Sequence, residues 1–234
     1  MLGLILAGGD GSRLAADGVS TPKALAEVGG RPQLAALAAR FVELGCTDVV
    51  CLLRHDLVPR AASLIEPPAR VVACRTPSSL HTLVEGLRAL PAGDVLCSMV
   101  DTVMAPDDWL RVYDSSARGL AAGADAVLAV TAPAGDDAPL WVRLDGAGAV
   151  VEVGGIPPNP PCVTGGVYAF GPGARARAEA VCAAGRVRMR AFLADLVAGG
   201  ARVQAVHVER IIDVDHRRDL DAANAYLTAV LRTP

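Results

Sequence analysis

Two short segments near the N-terminus combine residue types that handle phosphate. An apolar run, Leu2 to Leu6, gives way to Ala7-Gly8-Gly9-Asp10-Gly11-Ser12-Arg13-Leu14. Glycines placed where a strand ends let backbone N–H groups approach an anion closely, and that edge of a parallel sheet is where ligands collect in α/β folds. Arg13 adds a planar guanidinium fork matched to phosphate oxygens. Ten residues further on, Thr21-Pro22-Lys23-Ala24-Leu25 brings a compact ammonium, with Pro22 restricting the backbone just before it. Lys23 is the only lysine among 22 Lys and Arg residues, so in a composition that has drifted to arginine it marks a position where an ammonium matters. Leu6, Ala7, Gly8, Gly9, Gly11, Ser12 and Arg13 are therefore expected to cradle a triphosphate. Arg13 and Lys23 are expected to stabilise charge during its reaction.

Rival phosphate motifs fail on detail. A P-loop requires GxxxxGK[ST], and no lysine follows a glycine in this chain. A dinucleotide fingerprint requires GxGxxG, but Gly9-x-Gly11 is followed by Leu14 where the third glycine belongs. The bland alternative is a glycine-rich turn that binds nothing.

The elements that must position these residues follow a βαβ rhythm. Strands are expected at Leu2 to Leu6, Val49 to Leu53, Arg70 to Cys74, Val95 to Met99 and Ala126 to Thr131. Helices fall at Gln33 to Leu44, Ser79 to Ala89 and Asp107 to Ala122. This pattern predicts an α/β fold with a mostly parallel, doubly wound sheet covered by helices on both faces. From Pro133 the pattern changes. Leu140 to Leu144 and Ala149 to Val153 flank Asp145-Gly146 as a small antiparallel hairpin insertion. After a proline-rich loop, a strand is expected at Val163 to Phe170, helices at Arg175 to Ala184 and Arg190 to Ala198, a late strand at Arg202 to Val208, and a closing helix at Arg217 to Leu231. At 234 residues the chain suits one domain, 1–234.

LILAGGDGSRL followed by PKALAEVGGRP resembles the signature of the sugar-1-phosphate nucleotidylyltransferases, LAGGxGxRL then PKxL. The resemblance implies a GT-A-like, Rossmann-like three-layer sandwich. It implies a Mg²⁺-dependent transfer of a nucleotidyl group from a nucleoside triphosphate to a sugar 1-phosphate or similar metabolite, releasing pyrophosphate. It also places Mg²⁺ on Asp101, at the end of the fourth strand, although Val100 stands where the family often has glycine. Ile211-Ile212-Asp213-Val214-Asp215 resembles the second metal site, with Asp213 as the ligand; Asp215 is the alternative, or else the N-cap of the last helix. Arg75 to Leu83 resembles the base-reading loop, which nominates Ser79 and Thr82, each of which is equally suited to starting a helix. Val163 to Phe170 resembles the strand that contacts the acceptor, which nominates Thr164 and Gly165. Relatives carry an EKP lysine just upstream, where this chain reads Val151-Glu152-Val153-Gly154. With no second lysine, an arginine must replace it, and Arg186 and Arg188 are the candidates. The acceptor is thus left open between a sugar phosphate and a cyclitol or other alcohol phosphate, taken by a guanylyl- or cytidylyltransferase. A non-catalytic nucleotide-sugar sensor is the reading from another class.

Composition narrows the partners. A formal net charge of −3 excludes a general nucleic-acid binder, which needs a basic stripe to displace counterions. The six cysteines contain no CxxC pair and lie mostly in apolar runs, as reduced core thiols of a cytoplasmic protein do. MLGLILAGG lacks a charged leader and has too few apolar residues for a signal peptide or membrane span. The expected partners are a nucleoside triphosphate and a phosphorylated small molecule, with no nucleic acid or membrane, the chain acting alone or as a homo-oligomer.

Overall fold

The first apolar run forms β1 (Leu2–Ala7), in which Leu4 and Ile5 have no exposed surface. A strand buried on both faces must be covered twice, and the computed structural model, which describes residues 1–134 and 137–232, shows how. A glycine-rich turn leads into α1 (Ser12–Ala16), then a 3-10 turn at Lys23–Leu25 and the two-residue strands β2 (Glu27–Val28) and β3 (Arg31–Pro32). Then come α2 (Gln33–Glu43), β4 (Val49–Arg54), α3 (Val58–Ala62), β5 (Ala69–Cys74), α4 (Ser79–Ala89), β6 (Val95–Met99) and β7 (Thr102–Val103). The second half comprises α5 (Pro106–Ala121), β8 (Ala126–Thr131), β9 (Leu140–Leu144), β10 (Val150–Val153), β11 (Val163–Phe170), α6 (Ala174–Ala183), α7 (Met189–Ala198), β12 (Val203–His207), β13 (Ile212–Asp213) and α8 (Arg217–Val230).

Nine strands make one sheet, ordered β5-β4-β1-β6-β11-β8-β12, with the β9-β10 hairpin attached to the start of β11. β5, β4, β1 and β6 are parallel, as the βαβ rhythm predicts. β11 runs antiparallel between β6 and β8, so its beginning lies at the edge where β1 and β6 end. Alternate residues of the strands feed two cores, because successive side chains point to opposite faces. Leu4, Leu6, Val50 and Leu52 pack under α4, α6 and α7, while Ile5, Val49, Cys51 and Leu53 pack under α2 and α5. The apolar spacing Leu34, Leu37, Ala38 and Phe41 gives α2 its buried stripe, and Phe41 meets Trp109 edge-on at 5.8 Å between ring centroids.

The expected three-layer α/β architecture is present, with helix and strand ends displaced by about a residue. The β9-β10 hairpin is also present. Its connection spans 145–149, one residue longer than expected, and the Asp145 carboxylate accepts the N–H groups of Ala147 and Ala149, both at 2.9 Å. Periodicity did not predict β7 and β13, which are too short to carry a period. They pair antiparallel, Asp213 opposite Thr102, and the N–H of Val214 donates to the carbonyl of Asp101 at 3.0 Å. No helix among the described residues is long and apolar enough to cross a membrane. The six cysteines are unpaired, and five of them are buried.

Candidate active site

The glycine-rich turn follows β1 directly, and its glycines do different work. At Gly8 an added Cβ would press on Cys74 and Thr82, both at 3.2 Å, so the turn packs against the start of α4. At Gly9 an added Cβ would meet nothing within 4 Å: this backbone faces open space. Gly11 sits at φ 66°, a left-handed conformation that costs other residues, and an added Cβ would lie 2.9 Å from Cβ of Lys23. The absent side chain is what lets the lysine segment lie against the turn. Lys23 begins the 3-10 turn after Pro22, and its carbonyl accepts from Nε2 of the buried Gln33 at 3.1 Å.

Three aspartates converge on that lysine. Asp101 follows β6, whereas Asp213 ends β13 with Asp215 two residues beyond, and the β7-β13 pairing brings these segments together. The Lys23 ammonium bonds the Asp101 carboxylate and lies 2.5 Å from Oδ1 of Asp215, whose Oδ2 bonds Arg13. Burial alone would disfavour the ammonium, but Asp101, Asp213 and Asp215 outweigh it and hold the Lys23 pKa above the ordinary lysine value. Burial raises the Asp213 pKa to about 9, helped by the neighbouring Asp101 charge and opposed by Lys23. Asp215 goes the other way: burial pushes it up, but Lys23 and Arg13 win and hold it low.

This cluster meets the requirements of a divalent cation. One carboxylate oxygen from each of Asp101, Asp213 and Asp215 lies within 4.8 Å of the others. Oδ1 of Asp101 and Oδ1 of Asp213 are buried without a hydrogen-bond partner, a costly state for a carboxylate that a bound cation would relieve. Hard oxygen donors suit Mg²⁺.

Two adjoining cavities share Leu6, Gly9, Asp10, Ser78, Ser79 and Met99 as a common wall. The first, about 700 Å³, holds Ala7, Gly11, Ser12, Arg13, Lys23 and the aspartates, and reaches Thr164, Gly165 and Arg188. The second, about 880 Å³, is lined by Gly8, Arg54, Asp56, Arg75 to Ser79 and Thr82. Thr82 is buried and its hydroxyl donates to the Ser78 carbonyl at 3.0 Å and lies 2.6 Å from that of Thr76, while the Ser79 hydroxyl accepts from the N–H of Met189 at 3.1 Å. Thr164 lies on the reversed strand, its hydroxyl donating to the Ala129 carbonyl at 2.8 Å. An added Cβ at Gly165 would lie 2.5 Å from Ile211, so glycine lets β11 pass over the segment that carries Asp213.

Of the two arginines expected at the acceptor end, Arg188 lines the crevice at the N-cap of α7. Arg186 lies outside that lining and pairs with Asp195 at 3.5 Å. Sequence reasoning missed Arg190 and Arg218, which line the same crevice; among so many arginines neither carries a distinguishing signal. Asp215 does not cap the last helix. His216 occupies the N-cap, and the Asp219 carboxylate accepts its N–H at 2.7 Å.

A turn that offers backbone to phosphate, two cations beside it and buried carboxylates opposite are what nucleotidyl transfer between phosphates demands. Nucleotidyltransferase is the class that fold and crevice define together. The chain belongs to the MobA-like NTP transferase domain family, whose pattern matches residues 3–202. No curated protein matches it. Among solved structures, it resembles the inositol-1-phosphate CTP transferase from T. maritima, with 13% identity and a TM-score of 0.79 over 99% of this chain and 96% of that one. It also resembles a putative glucose-1-phosphate thymidylyltransferase from Bacillus anthracis in complex with a sucrose, with 18% identity and a TM-score of 0.77 over 97% and 95%.

Proposed function

We propose that the protein joins a nucleoside triphosphate to a phosphorylated sugar or cyclitol in a Mg²⁺-dependent reaction and releases pyrophosphate. The observation that carries this reading is the pair of buried, unpartnered oxygens on Asp101 and Asp213, set across one crevice from the glycine turn, Arg13 and Lys23. A protein that only sensed a nucleotide sugar would have no use for two carboxylates kept desolvated beside its phosphate site.

In the proposed reaction an oxygen of the acceptor phosphate attacks the α-phosphorus of the triphosphate. The bond to the bridging oxygen of the β-phosphate breaks, and pyrophosphate leaves. A phosphate monoester is largely dianionic near neutral pH, so it needs no general base. Backbone N–H groups of Gly8 to Ser12 hold the phosphates, while Arg13 and Lys23 stabilise charge that builds on the leaving pyrophosphate. Mg²⁺ held by Asp101 and Asp213 would neutralise the triphosphate and orient its α-phosphate. The base lies in the second cavity, beside Ser79 and Thr82. Thr164, Gly165 and Arg188 face the acceptor, with the arginine supplying the charge that lysine provides in the resembling family.

A sugar 1-phosphate is the first acceptor to test and a cyclitol phosphate the alternative, which the absence of a second lysine keeps in play. The test is pyrophosphate release from ATP, GTP, CTP, UTP and dTTP, each with hexose 1-phosphates and with inositol 1-phosphate. Release that requires one nucleotide, one acceptor and Mg²⁺ is expected. If nucleotide sugars stabilise the protein to heat while no triphosphate does and no pyrophosphate forms, the sensor replaces the transferase.

A further inference from the structure

Asp215 occupies an unusual position for a residue outside the proposed metal pair. Its two carboxylate oxygens take the two cations of the crevice separately, Oδ1 receiving Lys23 and Oδ2 receiving Arg13. Two neighbouring oxygens bridging an ammonium and a guanidinium are what a phosphate group would present to the same pair. Asp215 is also fixed in place from behind, its N–H donating to the Asp213 carbonyl at 3.0 Å and to Asp219 at 3.2 Å. Arg13, by contrast, is 60% exposed and free to turn toward an incoming anion.

A second tie joins the same two segments without touching the crevice cations. Asp17, which caps the C-terminus of α1, accepts from the backbone N–H of Arg217 at 3.0 Å and lies 2.9 Å from Nδ1 of His216. The segment bearing Arg13 therefore stays docked on residues 215–217 even when Arg13 and Asp215 part. One tie holds the geometry and the other is exchangeable.

We infer that Asp215 is an internal stand-in for the triphosphate: it holds Lys23 and Arg13 in place and competes with the nucleotide for them. A divalent cation at the aspartate cluster offsets that competition by neutralising carboxylate charge, so metal and nucleotide bind with positive coupling, part of which runs through Asp215. Asp215 is a positioning residue, and its removal should strengthen one property while weakening another. The inference rests on the proposed triphosphate site.

The test is equilibrium binding of the triphosphate that supports pyrophosphate release, at constant ionic strength, with excess EDTA and then with Mg²⁺. It compares the unaltered protein, Asp215→Asn, Asp215→Ser and Asp17→Asn. In EDTA both Asp215 variants should bind about tenfold more tightly than the unaltered protein, and the gain brought by Mg²⁺ should shrink by a similar factor. Asp17→Asn, which weakens only the structural tie, should not bind more tightly. Circular dichroism reports folding, and the Ser variant supplies the reading if the Asn variant does not fold. If the unaltered protein binds in a Mg²⁺-dependent way but neither Asp215 variant gains affinity in EDTA, the inference falls and the proposed function stands. If no triphosphate binds under any condition, both fall.

Discussion

The proposed phosphate end of the crevice and its proposed acceptor end are built differently. At that first end Lys23 is committed: it is 11% exposed and held by two aspartates, Gly11 seats it, and Gln33 fixes its carbonyl. At the second end Arg188 and Arg190 are exposed, and Arg190 donates to the Ala138 carbonyl at 3.3 Å. Transferring a nucleotidyl group demands the same geometry at phosphorus whatever the acceptor, and rigid elements supply it. Choosing the acceptor needs charge on long side chains, which can be exchanged without disturbing the sheet. Loss at the first end should therefore appear in turnover, and loss at the second in acceptor affinity.

Asp101→Asn should produce the largest effect, lowering turnover on the order of 10² to 10³-fold with circular dichroism unchanged, the range seen when a transition-state stabiliser is removed. A loss below tenfold would break the contrast. Gly11→Ala comes next. It forces a left-handed φ on alanine and drives a Cβ against Lys23, so turnover should fall by about tenfold and chemical denaturation should show about 1–2 kcal/mol of lost stability. Arg188→Ala should raise the KM for the acceptor by about tenfold while the KM for the triphosphate stays within about twofold. A matching rise in both would place Arg188 on the phosphate side and erase the distinction. The smallest effect belongs to Arg186→Ala, expected to change both KM values by less than about twofold, because its pairing with Asp195 lies outside the crevice lining.

That same division explains what the sequence made legible. β1, the glycine turn and Lys23 are local in the chain, and strong apolar runs bound them, so their proximity could be read directly. The doubly wound sheet followed from runs long enough to show a period. Asp101 and Asp213 are 112 residues apart, and the pairing that joins them consists of two strands of two residues each. Only the resemblance to a known family linked them before the fold did. Asp215 offered two readings in sequence: His216 takes the cap, and Asp215 joins the carboxylate cluster, where it also pairs with Arg13 and Lys23. At the acceptor end no signal separated Arg186 from Arg188, Arg190 or Arg218, because aiming a long side chain depends on how α7 and α8 close around the crevice. The reversal of β11 was equally silent, since a buried strand reads the same in either direction.

The solitary lysine has a practical consequence. Nζ of Lys23 is the only side-chain primary amine in this sequence. An amine-acylating reagent therefore has one side-chain target, lying in the crevice itself, and intact-mass spectrometry can count its modification without peptide mapping. The aspartates that keep Lys23 protonated make it a slow target beside a terminal amine, so a rise in its labelling rate reports loss of their grip.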